Sequence, residues 1–183
     1  MLFKTARKIF DFIFDNISFI AFKVKINNLR NLDKVVIFDL DNTLLDTYPL
    51  LNSMPLKDVF KKVRTHVEMM NLYNQFSDKK VFVFILSARK IEFYRITQNY
   101  IKQHINSTVP FYLVSEPSIK VRFLKYCVAF FNKVTLFDDL SYNHENGEVK
   151  FYHDIIKEVH ELSIVYFGYD EIVKINSLIS NDK

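Results

Sequence analysis

Glycine is scarce in this chain: only two of its 183 residues are Gly. The sequence contains neither GxGxxG nor GxxxxGK[ST], the patterns that bring backbone amides against phosphates in Rossmann and P-loop nucleotide sites. Cysteine is also nearly absent, because Cys127 is the single one. An internal disulfide is therefore excluded, and a reducing, cytoplasmic setting is expected. We interpret Cys127 as a small core residue of an apolar helix rather than as a nucleophile.

The N-terminal region lacks an apolar run that could cross a membrane. Its longest uncharged run extends from Asn16 to Phe22, whereas a spanning helix needs about 20 apolar residues. Asp11 and Asp15 interrupt the apolar region that a signal peptide would need. Apolar residues nevertheless recur at helical spacing over residues 1–25, at positions 2, 6, 9, 13, 17, 20 and 24. This pattern predicts an amphipathic helix.

Positive charge is concentrated in the same region. The chain has a net charge of +4, and residues 1–34 hold seven Lys or Arg and three Asp, so the remaining residues sum to zero. The rest of the chain has no overall basic field and gives no strong nucleic-acid signal. Two partners stay open for residues 1–25. One is a membrane surface, which would make the protein peripheral there; the other is the chain's own domain or a second subunit.

From residue 34 onward, short apolar runs alternate with amphipathic segments. Strands are expected at 34–39, 81–87, 109–115, 133–139 and 162–168, and helices at 56–76, 90–105, 117–131 and 152–161. Such alternation is typical of a parallel sheet covered by helices on both faces. We therefore predict an α/β fold with a Rossmann-like three-layer core. The predicted domain covers 34–183, and residues 1–33 form an extra amphipathic helix and a linker.

Polar side chains lie at or just beyond the carboxyl ends of four of these strands. They are Asp39 with Asp41, Ser87, the segment leading to Lys120, and Asp138 with Asp139. The carboxyl ends of parallel strands share the edge where open α/β sheets bind ligands. Several carboxylates there repel each other, and a hard divalent cation would resolve that repulsion. Mg²⁺ prefers a few carboxylates together with substrate phosphate and water. Asp39 could then act as a nucleophile, with Asp41 as general acid and base.

These residues carry a family resemblance. Asp39-Leu40-Asp41-Asn42-Thr43 resembles motif I (DxDx[TV]) of the haloacid dehalogenase (HAD) superfamily. Ser87 resembles motif II, Lys120 resembles motif III, and Asp138-Asp139 resembles the DD form of motif IV. The order, strand context and spacing of the motifs agree from residue 34 to about residue 140. Lys125, later in the same predicted helix, is the alternative to Lys120.

The resemblance implies a role for each matched residue. Asp39 would be the nucleophile and Asp41 the acid and base. Thr43, Ser87 and Lys120 would bind phosphate. Mg²⁺ would be held by Asp39, by the backbone carbonyl of Asp41, and by Asp138 or Asp139.

Asp41 discriminates among the activities of that superfamily. Dehalogenases lack this second aspartate and the metal, whereas phosphatases and phosphotransferases keep both. The resemblance therefore implies hydrolysis of a phosphomonoester. A phosphotransferase and a non-catalytic binding protein are the alternatives.

The intervals between the motifs predict a capless enzyme. The intervals from Asp41 to Ser87 and from Ser87 to Lys120 leave no room for a separate cap domain. We expect an open site that suits a large phosphorylated substrate, or a small one enclosed by another subunit. Residues 44–56 would form a flap, with Asp46 and Tyr48 as specificity candidates. A polynucleotide 3′-phosphate stays among the possible substrates, although the neutral charge of the domain argues against it.

Three polar residues near the motifs are not assigned a role in the site. We expect Arg89 and Lys90 to be surface charges rather than phosphate ligands. His144 lies beside Asn146-Gly147, which predicts a tight turn. We place His144 in a solvated hairpin.

Overall fold

The structure, a computed structural model, describes residues 2–29, 32–51, 53–77 and 80–177. Its strands are β1 (Lys34–Phe38), β2 (Leu45–Asp46), β3 (Arg64–Thr65), β4 (Phe82–Ala88), β5 (Phe111–Val114), β6 (Lys133–Phe137), β7 (Ser141–Tyr142), β8 (Lys150–Phe151) and β9 (Ile164–Phe167). Its helices are α1 (Leu2–Asn27), α2 (Tyr48–Leu51), α3 (Leu56–Val59), α4 (Val67–Ser77), α5 (Tyr94–His104), α6 (Lys120–Phe130), α7 (His153–Glu161) and α8 (Tyr169–Ser177). Short 3₁₀ turns occupy Ile91–Phe93, Pro117–Ile119 and His144–Asn146.

Five parallel strands form the central sheet, in the order β5-β4-β1-β6-β9. These are the five strands expected from the apolar runs, so the predicted parallel α/β fold is confirmed. Two antiparallel pairs, β2–β3 and β7–β8, lie outside this sheet. Because the five strands are parallel, their carboxyl ends meet at one edge, with β1 in the middle of the sheet.

Helices cover both faces of the sheet. Along β1, successive side chains point to opposite faces, so Val35 and Ile37 join one apolar cluster and Val36 and Phe38 join the other. The first cluster is completed by α1, α6 and α7, and the second by α3, α4, α5 and α8. The three-layer arrangement is therefore present. Cys127 of α6 is fully buried in the first cluster, and burial raises the pKa of its thiol.

One face of α1 is part of this core. The ring of Phe22 lies 5.2 Å from that of Phe84 and 4.9 Å from that of Phe123, measured between centroids. Asp15 is also buried, and its carboxylate accepts hydrogen bonds from the backbone amide and hydroxyl of Ser115 at 2.8 and 2.6 Å. In the described ranges, no helix, α1 included, has both the length and the hydropathy that a membrane crossing requires.

The prediction of one helix over 56–76 is wrong. Helix α3 ends at Val59, and the chain then pairs with the flap, because Leu45 and Asp46 of β2 lie opposite Thr65 and Arg64 of β3. Only after this pair does α4 begin, at Val67. β-Branched side chains are stiff in a helix and favour strands, so the segment around Thr65 loses little helical stability when it pairs as a strand. Between β1 and β4, the described residues contain no separately folded cap.

Candidate active site

A small cavity of about 110 Å³ lies at the carboxyl ends of β1, β4 and β6. The sequence-predicted residues Asp39, Asp41, Ser87, Lys120, Asp138 and Asp139 all line it. The backbone ladder of the sheet positions the first and last of these strand ends. The backbone amide of Asp39 donates to the carbonyl oxygen of Phe137 at 2.8 Å, and the backbone amide of Asp138 donates to the carbonyl oxygen of Phe167 at 3.2 Å. Each aspartate is therefore fixed one residue beyond its strand.

Lys120, at the first residue of α6, bridges two of these aspartates. Its Nζ donates to Asp39 Oδ1 at 2.8 Å and to Asp138 Oδ2 at 2.6 Å, and the ammonium group is buried with them. Burial alone would lower the pKa of Lys120, but the charges of Asp138 and Asp39 outweigh it and raise this pKa. Lys125, in contrast, pairs with Glu158 at the surface. Of the two candidate lysines, Lys120 is the one beside the aspartates.

Burial raises the pKa of two of these carboxyl groups. The pKa of Asp39 rises to about 7, chiefly through burial, with the charges of Asp138 and Asp41 adding to it and that of Lys120 opposing it. The pKa of Asp139 rises to about 8, again mainly through burial, with Asp39 and Asp138 adding to it. A single lysine thus leaves the negative charge of the cluster incompletely neutralised.

The three aspartates of the cluster could together hold a metal ion. Asp39, Asp138 and Asp139 are buried, and each offers a carboxylate oxygen within 4.8 Å of the others. Clustered carboxylate oxygens are the donors that hard divalent cations such as Mg²⁺ prefer. A cation there would offset the remaining repulsion. The described part of the chain therefore contains a buried acidic site whose donor set fits a divalent ion.

We expect Mg²⁺ to stabilise the protein more at pH 8 than at pH 5.5. Without metal, the raised pKa values of Asp39 and Asp139 mean that the folded state holds more protons than the unfolded one, so stability falls as pH rises toward 8. Metal binding reverses that loss. At a concentration of 100 Kd the gain is about 2.7 kcal/mol, which is a rise in Tm of roughly 5–10 °C for a domain of this size.

Thermal unfolding in MgCl₂ and in EDTA at the two pH values measures this effect. Asp138→Asn should lose most of the shift. Asp154→Asn should keep it, because Asp154 is an exposed residue of α7. Equal shifts at both pH values, or no shift in the native sequence, would contradict the prediction.

Two buried hydroxyl groups near the cluster lack hydrogen-bond partners within the described residues. They are Ser87 Oγ and Thr43 Oγ1. A buried hydroxyl without a partner is unfavourable, and Ser87 lines the small cavity, where a ligand oxygen would supply its missing bond. Thr43 is fully buried and is not among the lining residues. The structure thus brings Ser87, but not Thr43, to the cavity surface.

Arg89 is a site residue that the sequence interpretation missed. The expectation of a surface charge is wrong, because the residue is only 4% exposed. Its Nε donates to Asp41 Oδ2 at 2.7 Å, and its Nη2 donates to Asp41 Oδ1. The guanidinium group also donates to Thr97 Oγ1 at 3.1 Å and lies 4.2 Å from the ring centre of Phe60. Ser87 and Arg89 are two residues apart, the spacing that places side chains on one face of an extended chain. This spacing is the sequence signal that could have identified Arg89 as a site residue.

A second cavity, of about 660 Å³, opens beside the first. Asp41 lines both cavities, and the larger one adds Arg89, the exposed Lys90 and Glu92. Its aromatic lining consists of Tyr48, Phe93, Tyr142, His144 and Tyr152. Space for a sizeable group therefore lies directly next to the acidic cavity.

The flap and the β7–β8 hairpin meet at the boundary of the two cavities. The Tyr48 hydroxyl donates to Asp139 Oδ2 at 2.5 Å, and burial together with the Asp139 charge raises the pKa of Tyr48. The Ser141 hydroxyl contacts the same carboxylate and lies 2.8 Å from the Tyr48 hydroxyl and 2.7 Å from His144 Nε2. His144 also stacks on the Tyr48 ring. The hairpin is present, but the expectation that His144 is merely solvated is wrong.

Comparison with known proteins finds a likeness in fold. No family model matches the chain, and no curated protein matches it. A chain of a solved structure described as "Structure of Pnkp1/Rnl/Hen1 complex" matches with 20% sequence identity and a TM-score of 0.51. The match covers 75% of this chain and 46% of that one, so the chain corresponds to less than half of its neighbour. At this identity the likeness establishes a shared fold.

Proposed function

We propose that the chain is a Mg²⁺-dependent phosphomonoesterase of the HAD type that works through an aspartyl-phosphate on Asp39. The observation that carries the proposal is the buried cluster of Asp39, Asp138 and Asp139. Lys120 bridges the first two of these aspartates, and the cavity also holds the unpartnered hydroxyl of Ser87. A lysine, a hydroxyl and a cation-binding set of carboxylates together suit a phosphate group. The four HAD-like motifs support the same activity.

The reaction would proceed in two displacements at phosphorus. In the first, a carboxylate oxygen of Asp39 bonds to phosphorus while the ester P–O bond breaks, and Asp41 gives its proton to the leaving oxygen. In the second, Asp41 takes a proton from water, whose oxygen bonds to phosphorus while the aspartyl P–O bond breaks. The products are an alcohol and inorganic phosphate, and both aspartates return to their starting forms.

The remaining site residues would bind and orient the phosphate group. Lys120 and Ser87 would contact its oxygens, and the predicted role of Thr43 stays a prediction. Asp39, the backbone carbonyl of Asp41, and Asp138 or Asp139 would hold Mg²⁺, which when bound supplies positive charge next to the phosphate. The leaving group would occupy the larger cavity, against the flap residue Tyr48. No cap encloses this cavity in the described residues, so the proposed substrate class includes large phosphoesters.

Arg89 would set the orientation of Asp41. Its two hydrogen bonds occupy both carboxylate oxygens of Asp41, whereas the second displacement needs one of these oxygens to take a proton from water. The first displacement needs the protonated acid. Asp41 would therefore turn away from Arg89 toward the leaving oxygen during the first step. In the proposed cycle the side chain of Asp41 moves, and Arg89 binds it whenever it is turned away from the leaving oxygen.

Release of inorganic phosphate from a substrate panel tests the function. The panel would contain sugar phosphates, nucleotides, phosphopeptides and 3′-phosphorylated oligonucleotides, each assayed in MgCl₂ and in EDTA. We expect at least one substrate to be hydrolysed with a kcat on the order of 10 s⁻¹, a typical enzymatic value, and EDTA to abolish the reaction. A product that requires an added hydroxyl acceptor would identify a phosphotransferase instead. Binding of Mg²⁺ and phosphate without turnover of any panel member would favour the non-catalytic alternative.

A further inference from the structure

Helix α1 carries apolar residues on two opposite sides. On one side, Phe19, Phe22 and Ile26 are buried against the domain, and the charged side chain of Asp15 is buried beside them. On the other side, large aliphatic residues recur every three or four positions, and all are exposed: Ile9, Ile13, Ile17, Ile20 and Val24. The two sets are offset by about half a helical turn. We call the second set the outer face.

Exposed large hydrophobic residues are concentrated on α1. The members of the outer face are between 49% and 61% exposed, and the neighbouring Phe10 and Phe12 reach 60% and 69%. Seven of the thirteen exposed large hydrophobic residues in the described part of the chain thus belong to this one helix. From Ile9 to Val24 the row is about 22 Å long. Scattered exposed apolar residues are ordinary, but a continuous row of this size indicates an interaction surface.

The net charge of α1 is positive, because residues 2–27 hold five Lys or Arg and two Asp. Both of its acids lie on the domain side. Asp15 is buried against Ser115, and Asp11, one turn earlier, is half-buried and pairs with Arg7. Lys8, seven residues before Asp15, also lies on the domain side, and Lys25 lies beside the outer face near its C-terminal end; both lysines are exposed. The outer face is therefore a long apolar row without an acid, on a helix whose net charge is positive.

We propose that the outer face of α1 lies on an anionic membrane surface. A basic helix with one large apolar side can lie in the plane of the lipid interface, with that side buried and its lysines near anionic headgroups. A second copy of the chain fits this face less well. Antiparallel pairing of two outer faces would place two net-positive helices side by side, while the acids of each helix are turned toward its own domain. Anionic lipid supplies the negative charge that a second copy lacks.

The orientation of α1 would bring the membrane close to the candidate site. Arg7 Nη2 lies 3.3 Å from Glu92 Oε2, and Glu92 also lines the larger cavity beside the acidic site. The N-terminal half of α1 is therefore next to the mouth of that cavity. The surface proposal itself does not depend on catalysis, because it rests on the exposure and charge of α1 alone.

Co-sedimentation with vesicles tests the proposal. Vesicles of phosphatidylcholine alone would be compared with vesicles that contain about three parts in ten of phosphatidylglycerol. We expect the intact protein to bind the anionic vesicles at least tenfold more strongly than the neutral ones. The double substitution Ile13→Glu/Ile17→Glu should remove this binding. Val67→Glu and Val165→Glu should leave it unchanged, because these valines are equally exposed (59% and 58%) and lie on α4 and β9.

Circular dichroism and size-exclusion chromatography with light scattering accompany the binding assay. The exposed positions of the double variant should leave its unfolding curve unchanged, so that loss of binding reports on the surface. Failure of the intact protein to bind anionic vesicles would overturn the proposal. So would a dimer in solution that the Ile13→Glu/Ile17→Glu variant converts to a monomer, because a second copy would then cover the outer face.

Discussion

Replacement of Asp39 by Asn is expected to abolish phosphomonoester hydrolysis, with a loss of at least about 10⁴-fold in kcat. The physical reason is the loss of the nucleophile. The amide is uncharged, and it cannot form the acyl-phosphate bond on which the proposed reaction depends. The measurement is phosphate release in MgCl₂ with the best substrate of the panel. The fold should survive, because Asn keeps the size of Asp and removes a charge that burial disfavours.

The matched control for this substitution is Asp154→Asn. Asp154 is an exposed aspartate in the first turn of α7, so the same chemical change there should leave kcat within about twofold, as for most surface substitutions. In EDTA, the Asp39→Asn variant should unfold at a temperature no lower than that of the native protein. The Asp154→Asn variant should unfold within about 4 °C of it, because an acid in the first turn contributes at most about 1 kcal/mol to its helix. Undiminished turnover by the Asp39→Asn variant would rule out the aspartyl-phosphate mechanism.

Replacement of Lys120 by Met is expected to lower the free energy of unfolding in EDTA by about 3–5 kcal/mol, the range measured when one partner of a buried ion pair is removed. Met is close to Lys in length but has no charge. The substitution leaves the buried carboxylates of Asp39 and Asp138 side by side without the ammonium group that bridges them. The change corresponds to a fall in Tm of about 10 °C, measured by thermal unfolding. Mg²⁺ should restore part of the loss, because a cation can replace the missing positive charge.

Lys125→Met is the matched control on the same helix. Lys125 has 58% of its side chain exposed, and its ion pair with Glu158 is at the surface, so its removal should change stability by no more than about 0.5 kcal/mol. The comparison also shows which of the two candidate lysines, Lys120 or Lys125, has the buried position expected for motif III. Equal losses at the two positions, or no loss at Lys120, would contradict the buried bridge.

The sequence predicted the sheet well because its strands are continuous apolar runs. VVIF in β1 and VFIL in β4 are buried on both faces, and such runs indicate central parallel strands. The prediction of a helix over 56–76 is wrong for a different reason. Its pattern suits a helix locally, but Thr65 and Arg64 pair with Leu45 and Asp46, about twenty residues earlier. A contact of that sequence separation is not encoded in helical periodicity, so tertiary pairing overrode the local preference.

The candidate site was predictable in its location but not in its hydrogen bonds. Asp39, Ser87 and Asp138 lie at the carboxyl ends of strands of one parallel sheet, and the rule that such sheets bind ligands at this edge places them together. Arg89 was missed because it is held by residues of other elements, Thr97 and Phe60. The contacts among Tyr48, Asp139 and His144 were missed likewise, because they depend on how the flap and the hairpin meet. Such contacts between separate loops leave no periodic signal in the sequence.

The packing of α6 between α1 and the acidic cavity has a mechanical consequence. One end of α6 holds Lys120 against Asp39 and Asp138, and one turn later Phe123 packs under Phe22 of α1. A force that displaced α1 from the sheet would therefore act on the same short helix that carries the lysine. A shift of that helix by even one ångström would stretch the two Lys120 contacts. Displacement of the N-terminal helix would in this way change the balance of charge in the cavity.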